Sequence, residues 1–195
     1  MLLGIDEAGR GCLAGALFVA GVACADDLAN EFCKKGLKES KELSRARRFA
    51  WAQQIQAHKE IQSLVVAKSA QEIDSKGLSL CMQEAMSQII LKLPEILSVC
   101  IDGNTLFNLH FPHLKSFQAV VKGDDKIPQI AMASILAKAH KDREMLELDK
   151  IYSEYGFAKN CGYGTPAHIL ALKKHGYTKE HRHSFKLKPL VNGNN

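Results

Sequence analysis

Two adjacent carboxylates lie close to the start of the chain, and the residues behind them suit a ligand-binding turn. Asp6 and Glu7 are followed shortly by the glycine-flanked arginine of Gly9-Arg10-Gly11. Neighbouring carboxylates repel each other unless a positive charge lies beside them, and hard divalent cations supply it because they prefer oxygen ligands. Two solvated acids in a turn would be the simpler interpretation of Asp6 and Glu7 alone. The glycines favour instead a site where the backbone approaches a ligand closely.

Two further acids could join this pair in space. Asp102 ends an apolar segment, as Asp6 does, and Asp142 lies on the apolar stripe of a long predicted helix. On its own, Asp142 could equally be a boundary residue that pairs with Arg143 or Lys138. Four carboxylates from two strand ends and one helix match a site that binds two divalent cations for phosphoryl transfer. One cation would activate water and the other would stabilise the leaving oxygen.

Apolar runs and alternating patterns predict the strands that would carry these acids. They cover residues 2–5, 16–23, 61–66, 98–102 and 117–121, with a turn at 122–125. Capping and proline signals predict helices at 45–57, 69–92, 128–152 and 166–176, the first capped by Ser44, the second ended by Pro94 and the last capped by Thr165. This order predicts an α/β fold with a mixed sheet and helices on both faces. Asp6 and Asp102 would then meet at one edge of the sheet, where α/β sheets usually place their sites.

The composition indicates a globular domain that could bind a polyanion. The 195 residues include 26 Lys and Arg against 21 Asp and Glu, a net charge of +5 that permits a nucleic-acid partner without demanding one. The sequence shows neither the pattern of a secretory signal nor an apolar run long enough to span a membrane. None of the six cysteines forms a Cys-x-x-Cys pair. We therefore expect a monomeric, cytoplasmic protein with reduced thiols and no membrane partner.

Other catalytic motifs are excluded by their context. Gly9-x-Gly11-x-x-x-Gly15 partly matches a dinucleotide-binding loop, but such a loop must open a helix, and residues 16–23 are predicted as a strand. The Gly-Lys-Ser/Thr of a phosphate-binding loop is absent from the sequence. No spacing of cysteine and histidine indicates a nucleophilic pair.

Four segments together resemble the signatures of the type 2 ribonuclease H family, bacterial ribonuclease HII. They are Gly4-Ile5-Asp6-Glu7-Ala8-Gly9-Arg10-Gly11; Ile101-Asp102-Gly103-Asn104; Lys122-Gly123-Asp124-Asp125-Lys126-Ile127-Pro128 with Ala133-Ser134-Ile135-Leu136-Ala137-Lys138, leading into Asp142-Arg143; and Gly162-Tyr163-Gly164-Thr165 with His168, His181-Arg182 and Ser184-Phe185. Any one of them could arise by chance. Four in order at compatible spacing make the resemblance specific, and it covers nearly the whole chain.

The resemblance implies a ribonuclease H-like fold, a mixed five-stranded sheet flanked by helices, with a helical C-terminal extension. It divides the chain into a catalytic domain at residues 1–155 and an extension at 156–195 packed on it, and we expect the tail at 191–195 to be disordered. It implies an endonuclease that hydrolyses the RNA strand of RNA–DNA hybrids. Such an enzyme also nicks duplex DNA on the 5′ side of an embedded ribonucleotide, leaving 3′-hydroxyl and 5′-phosphate ends. Ribonucleotides and RNA primers would be removed in this way.

The resemblance also assigns roles to individual residues. The family's catalytic carboxylates, which hold two divalent cations, manganese or magnesium, fall on Asp6, Glu7, Asp102 and Asp142. Its tyrosine falls on Tyr163, which is implied to stack on the deoxyribose beyond the ribonucleotide. Ordinary packing in a glycine-rich turn is the alternative for this tyrosine.

The remaining substrate contacts implied by the resemblance come from backbone and basic residues. The family's Gly-Arg-Gly element falls on Gly9, Arg10 and Gly11, and its backbone is implied to contact the ribose 2′-hydroxyl, which distinguishes RNA from DNA. Its phosphate-contacting loop falls on Ser40 and Lys41, although Glu42 replaces a usual lysine and predicts a weaker contact. Further basic residues expected on the binding face are Lys122, Lys126, Lys173, Lys174 and Arg182.

Two other functions compete with this one. A hybrid-binding module on the same fold would not cleave its ligand, but the intact set of carboxylates argues against it. A junction resolvase of the same superfamily need not detect a 2′-hydroxyl, and the Gly-Arg-Gly turn argues against that. A substrate with one ribonucleotide in duplex DNA distinguishes these functions.

Overall fold

The computed structural model describes residues 1–37, 43–93 and 95–187, and within them the chain forms a sheet with the strand order β3-β2-β1-β4-β5. The strands are β1 Leu2–Ala8, β2 Leu17–Cys24, β3 Gln62–Lys68, β4 Ser98–Asp102 and β5 Ser116–Val120. β1 pairs antiparallel with β2 and parallel with β4, and β3 and β5 form the two outer strands. The predicted mixed five-stranded sheet is therefore confirmed.

The pairing of β1 with β4 brings two of the predicted acids together. Ile5 lies opposite Ile101 in the parallel register, so Asp6 and Asp102 follow at the same edge. Asp6 and Glu7 lie inside β1, which continues to Ala8, rather than beyond its end as the sequence predicts. The pairing with β2 extends this strand by holding both residues in the ladder.

The helices cover both faces of the sheet. They are α1 Asp26–Lys34, α2 Arg45–Ala57, α3 Ala70–Lys76, α4 Leu78–Lys92, α5 Gly123–Lys126, α6 Pro128–Ile151, α7 Phe157–Asn160 and α8 Pro166–His175, with a 3₁₀ turn at Ser153–Tyr155. One apolar core lies between the sheet and α1, α2 and α6, and a second lies between the sheet and α3 and α4. A third, smaller one joins the end of α6 to the C-terminal segment. Helices therefore pack on both faces, as predicted.

The alternation of β1 determines which side chains meet which helix. Leu3 and Ile5 are fully buried in the core that contains α4. Gly4 and Asp6 point to the other face, where α6 crosses β1. A Cβ atom added to Gly4 would lie 2.4 Å from the backbone N of Ile130, so this glycine lets α6 lie directly against the strand. The acid of β1 is thereby held close to one face of α6.

Several local predictions differ from the structure. The helix predicted over 69–92 is two helices, because Gly77 between them has φ of +83°, which interrupts α-helical geometry. The predicted turn at 122–125 contains a helical turn instead, after Lys122 with φ of +54°. Helix α1 was not predicted, and Pro94 lies outside the described residues. The Ser44 and Thr165 caps are confirmed.

The C-terminal segment packs back onto the turn that follows β1. The backbone N–H groups of Leu13 and Ala14 donate to the carbonyl oxygen of Gly162 at 2.7 and 3.2 Å. The division into units at 1–155 and 156–195 stays a prediction, and the tail predicted to be disordered lies outside the described residues. All six cysteines carry free thiols, as predicted. None of the described helices has the length and apolar character needed to cross a membrane.

Candidate active site

A cavity of about 430 Å³ opens at the sheet edge where β1 and β4 end. Its walls come from β1 and the turn after it, the end of β4, helices α5 and α6, and the turn before α8. The residues that line it are Asp6, Glu7, Ala8, Gly9, Arg10, Gly11, Asp102, Asp124, Ser134, Lys138 and Tyr163. Acids, a glycine turn and a tyrosine thus share one concave surface.

Asp6 lies at the base of this cavity in an unfavourable environment for a charge. It is buried, its Oδ1 accepts a hydrogen bond from the backbone N–H of Glu7 at 2.7 Å, and its side chain bonds with Ser134 on α6. Burial, together with the charges of Glu7 and Asp102, raises the pKa of Asp6 to about 8. Burial also raises the pKa of Glu7, against the opposing effect of Arg10, whose Nη1 lies 3.5 Å from the Glu7 Oε1. The negative charge here exceeds what the neighbouring cations offset.

Asp102 is oriented by the start of helix α5, which follows β5. Its Oδ1 accepts a hydrogen bond from the backbone N–H of Gly123 at 2.7 Å. The next residue of α5, Asp124, lines the cavity together with Asp6 and Glu7. Sequence reasoning missed Asp124, although it lies just beyond a strand end at the same sheet edge and inside one of the family signatures. That position is the signal that could have found it.

Asp142 is not among the residues that line this cavity, and its role as a fourth cation ligand stays a prediction. It is almost completely buried, and its Oδ2 forms an ion pair with the guanidinium of Arg48. Its Oδ1 accepts a hydrogen bond from the Lys138 ammonium at 2.8 Å. Asp142 lies two helical turns beyond Ser134 on α6, roughly 12 Å along the helix axis. The helical stripe was identified correctly, but its far end faces α2.

The acids surround an open space rather than a closed cage. Among residues 1–37, 43–93 and 95–187, no three His, Cys, Asp or Glu side chains converge as closely as the ligands of a bound metal ion do. The oxygen-only donor set and the raised pKa of Asp6 nevertheless suit a hard divalent cation, which would offset the repulsion. The residues present therefore fit such a cation.

The predicted substrate-contacting residues flank the acids. Gly9 has φ of +87°, and a Cβ atom there would lie 2.8 Å from the carbonyl oxygen of Ala16, so the turn requires glycine. Gly11 lies against Tyr163, and a Cβ added to it would lie 3.9 Å from the tyrosine Cε1. The side chain of Tyr163 is 46% exposed and separates the acidic cavity from a second, mostly apolar one of about 410 Å³.

The other residues predicted to contact nucleic acid differ in how exposed they are. Ser40 and Lys41 lie outside the described residues. Lys122, Lys126, Lys173 and Lys174 are exposed, as a binding face requires. Arg182 is not on a surface: it is 1% exposed, and its guanidinium donates to backbone carbonyl groups. Its predicted contact with nucleic acid is wrong for that reason.

Comparison with known proteins adds the decisive observation. The family model described as ribonuclease HII matches residues 3–188. The chain belongs to the ribonuclease HII family. The ribonuclease HII of Helicobacter acinonychis (strain Sheeba) is 54% identical over 189 residues, which cover 96% of this chain and 97% of that protein.

Solved structures share the fold. The chain matched in the PCNA:RNase HII complex from Archaeoglobus fulgidus superposes with a TM-score of 0.77 at 31% identity, covering 96% of each chain. Bst-RNase HIII in complex with Mn²⁺ superposes with a TM-score of 0.70 at 15% identity, covering 94% of this chain and 66% of that one. The ribonuclease H-like fold and its helical C-terminal part are thus shown. As a ribonuclease HII, the protein is an endoribonuclease that cleaves RNA in RNA–DNA hybrids and at ribonucleotides embedded in DNA.

Proposed function

We propose that this protein cuts on the 5′ side of a ribonucleotide with the help of divalent cations bound in the acidic cavity. One observation carries the proposal: Asp6, Glu7, Asp102 and Asp124 line a single cavity beside the Gly9–Gly11 turn and Tyr163. A cleavage centre and the elements that would recognise RNA–DNA substrate are therefore adjacent. The products would be a 3′-hydroxyl and a 5′-phosphate end.

The cation ligands in this proposal differ by one residue from those that the sequence predicts. Asp6, Glu7 and Asp102 keep their role, and Asp124 replaces Asp142 because it shares their cavity. Two divalent cations, magnesium or manganese, would activate water and stabilise the leaving oxygen. The protein's part is to hold the oxygen ligands: the Gly123 N–H orients Asp102, and Ser134 with the Glu7 N–H orients Asp6. The manganese complex of Bst-RNase HIII supports a cation of this kind.

Asp142 has a different part in the same site. Its carboxylate holds the ammonium group of Lys138 at 2.8 Å, and Lys138 lines the cavity one turn of α6 from Ser134. The Lys138 ammonium held there would attract a substrate phosphate, and it would not bind the divalent cations. Arg48 completes the network, since it pairs with Asp142 and donates to the Leu43 carbonyl oxygen at 2.9 Å. We therefore treat Asp142 as a positioning residue.

The substrate would lie across the turn and the tyrosine. Backbone groups of Gly9, Arg10 and Gly11 would contact the ribose 2′-hydroxyl, because no side chain screens the glycine backbone there. Tyr163 would stack on the sugar of the following deoxynucleotide, since its ring is half exposed between the two cavities. Ser40 and Lys41 remain predicted phosphate contacts, and the protein is expected to act as a monomer.

A duplex with one ribonucleotide tests the proposal. The wild-type protein should nick it on the 5′ side in Mg²⁺ or Mn²⁺, and a chelator should abolish the nick. Asp102→Asn should lower the rate by about 10³-fold or more while binding of an RNA–DNA hybrid persists, because the lost ligand acts on the transition state. Asp27→Asn, at an exposed position of α1, is the matched control and should cut normally.

The alternatives predict other results. Hybrid binding without cleavage in any metal would indicate a non-catalytic binding module. Cleavage of four-way DNA junctions with no response to a ribonucleotide would indicate a resolvase. Full activity of Asp102→Asn in the presence of metal would contradict the proposed cation site.

A further inference from the structure

Backbone hydrogen bonds connect the segment that contains His181 and Arg182 to the turn after β1. Neither residue lines the acidic cavity. The backbone N–H of Arg182 donates to the Leu13 carbonyl oxygen at 2.8 Å, and the N–H of Gly15 donates to the Glu180 carbonyl oxygen at 2.7 Å. Both His181 and Arg182 are 1% exposed. Two adjacent, buried polar side chains therefore lie directly behind the substrate-contacting turn.

The guanidinium of Arg182 is committed to the backbone of that turn. Its Nε and Nη2 donate to the Gly15 carbonyl oxygen at 3.1 and 2.9 Å, and its Nη1 donates to the Arg10 carbonyl oxygen at 3.0 Å. A buried guanidinium needs acceptors for its rigid fork of N–H groups. Here these acceptors fix both ends of the turn, including the central residue of the Gly9-Arg10-Gly11 element.

The histidines form a chain that ends at Tyr163. The N–H of Thr178 donates to His181 Nδ1 at 3.0 Å, the Nε2 atoms of His181 and His168 lie 3.0 Å apart, and His168 Nδ1 lies 2.9 Å from the Tyr163 carbonyl oxygen. Burial lowers the pKa of both rings, that of His181 to about 4, so both are neutral near pH 7. Hydrogen bonding then assigns one arrangement: His181 Nε2–H donates to His168 Nε2, and His168 Nδ1–H donates to the Tyr163 carbonyl oxygen.

We propose that His168, His181 and Arg182 form a positioning unit that fixes Tyr163 relative to the Arg10 carbonyl group. The connection to Tyr163 starts at His181, and the connection to Arg10 starts at the adjacent Arg182. The unit therefore sets the spacing between the turn and the tyrosine. A spacing set in this way selects a ribonucleotide followed by a deoxynucleotide, since a shift of about 1 Å is enough to weaken a well-oriented contact. The inference rests on the proposed function of the turn and of Tyr163.

Two substitutions of His168 separate positioning from general stability. In His168→Asn the amide nitrogen takes the place of Nδ1 and can still donate to the Tyr163 carbonyl oxygen. In His168→Gln the amide lies near the place of Nε2, so that donor is lost while the contact with His181 is kept. The measurement is kcat/KM on a duplex with one ribonucleotide divided by kcat/KM on a long RNA–DNA hybrid. We expect His168→Gln to lower this ratio by about tenfold and His168→Asn to stay within about threefold of wild type.

Arg182→Lys tests the other end of the unit. Lysine keeps the charge but cannot reach both carbonyl oxygens with a planar fork. In an Asp102→Asn background, which prevents cleavage, the affinity for a single-ribonucleotide duplex relative to the same all-DNA duplex should fall by about tenfold. Met86→Ala, in the core on the opposite face of the sheet, is the control for destabilisation alone and should leave both ratios unchanged.

The outcomes are distinct. A wild-type protein that fails to cut the single-ribonucleotide duplex contradicts the proposed function. A wild-type protein that cuts it, with the same ratio in His168→Gln as in His168→Asn, overturns the positioning unit. If His168→Gln does not fold, as measured by thermal unfolding, the Arg182→Lys affinity ratio decides: an unchanged ratio overturns the inference and a reduced one supports it.

Discussion

Two buried aspartates, Asp6 on β1 and Asp142 on α6, have opposite surroundings. Asp6 is 6% exposed and lies beside Glu7 and Asp102, and burial with these charges raises its pKa to about 8. Asp142 is 1% exposed, yet its two oxygens contact Arg48 and Lys138. The charge of Asp142 is offset by residues of the protein itself, whereas that of Asp6 needs a cation from outside.

Burial and residue type together do not distinguish these two aspartates. On those two criteria alone, either aspartate would qualify as a cation ligand. Each also lies in a segment that resembles a signature of the family. What distinguishes them is the sign of the charges opposite the carboxylate, because a carboxylate already bound to two cations has little to gain from a third. An unrelieved acid at a cavity is the better indicator of function.

The largest effect should come from Asp6→Asn, which removes the unrelieved charge. Cleavage of the single-ribonucleotide duplex should fall by about 10³-fold or more, because a cation ligand is lost. In a chelator, however, the variant should be more stable than the wild type near pH 8 by at least about 1 kcal/mol, since one pKa unit corresponds to about 1.4 kcal/mol. Thermal and denaturant unfolding measure this, and a less stable Asp6→Asn would contradict the account of the site.

The next effect distinguishes Asp124 from Asp142. Asp124→Asn should abolish cleavage in Mg²⁺ with little change in stability, because this residue is only half-buried at the cavity wall. Asp142→Asn should unfold more easily by about 3 kcal/mol, because it breaks the buried ion pair with Arg48. Its remaining activity should fall about 10- to 100-fold as Lys138 loses its position.

The two variants are each other's control, since both replace one carboxylate by an amide within the same motif region. Calorimetric titration with Mn²⁺ provides the independent measurement. Weaker Mn²⁺ binding in Asp142→Asn but not in Asp124→Asn would restore Asp142 as the cation ligand.

The smallest effect is a pH dependence of the metal-free protein. Folded Asp6 keeps its proton up to about pH 8, whereas the unfolded chain releases it near pH 4, so unfolding releases a proton in between. The free energy of unfolding should therefore fall as the pH rises, by about 1 to 2 kcal/mol between pH 6.5 and 8. This window lies above that in which His181 titrates. Asp6→Asn should show a flatter profile, and saturating Mg²⁺ should remove the fall in the wild type.

Local signals predicted much of the fold, because each depends on residues that are close in sequence. The strand patterns, the Ser44 and Thr165 caps and the long helix from Pro128 were found in this way. Errors occurred where a single backbone angle decided the outcome, as at Gly77. Helix α1 was missed because its pattern is short and lacks a capping side chain.

The sequence by itself determined the acidic pair in β1, the glycine turn after it, and Asp102 at the end of β4. Each acid lies at the end of an apolar strand pattern, and parallel pairing brings the ends of β1 and β4 to the same sheet edge. Only the tertiary structure shows that Asp124 lines the acidic cavity while Asp142 is paired with Arg48 and Lys138. Arg48 lies 94 positions from Asp142 in the chain but faces it across two packed helices. The connection from Arg182 to Arg10, 172 positions apart, is likewise a product of folding. Electrostatic interactions and hydrogen bonds depend on distances of a few ångströms in the folded protein. Such distances between residues far apart in sequence cannot be read from their spacing along the chain.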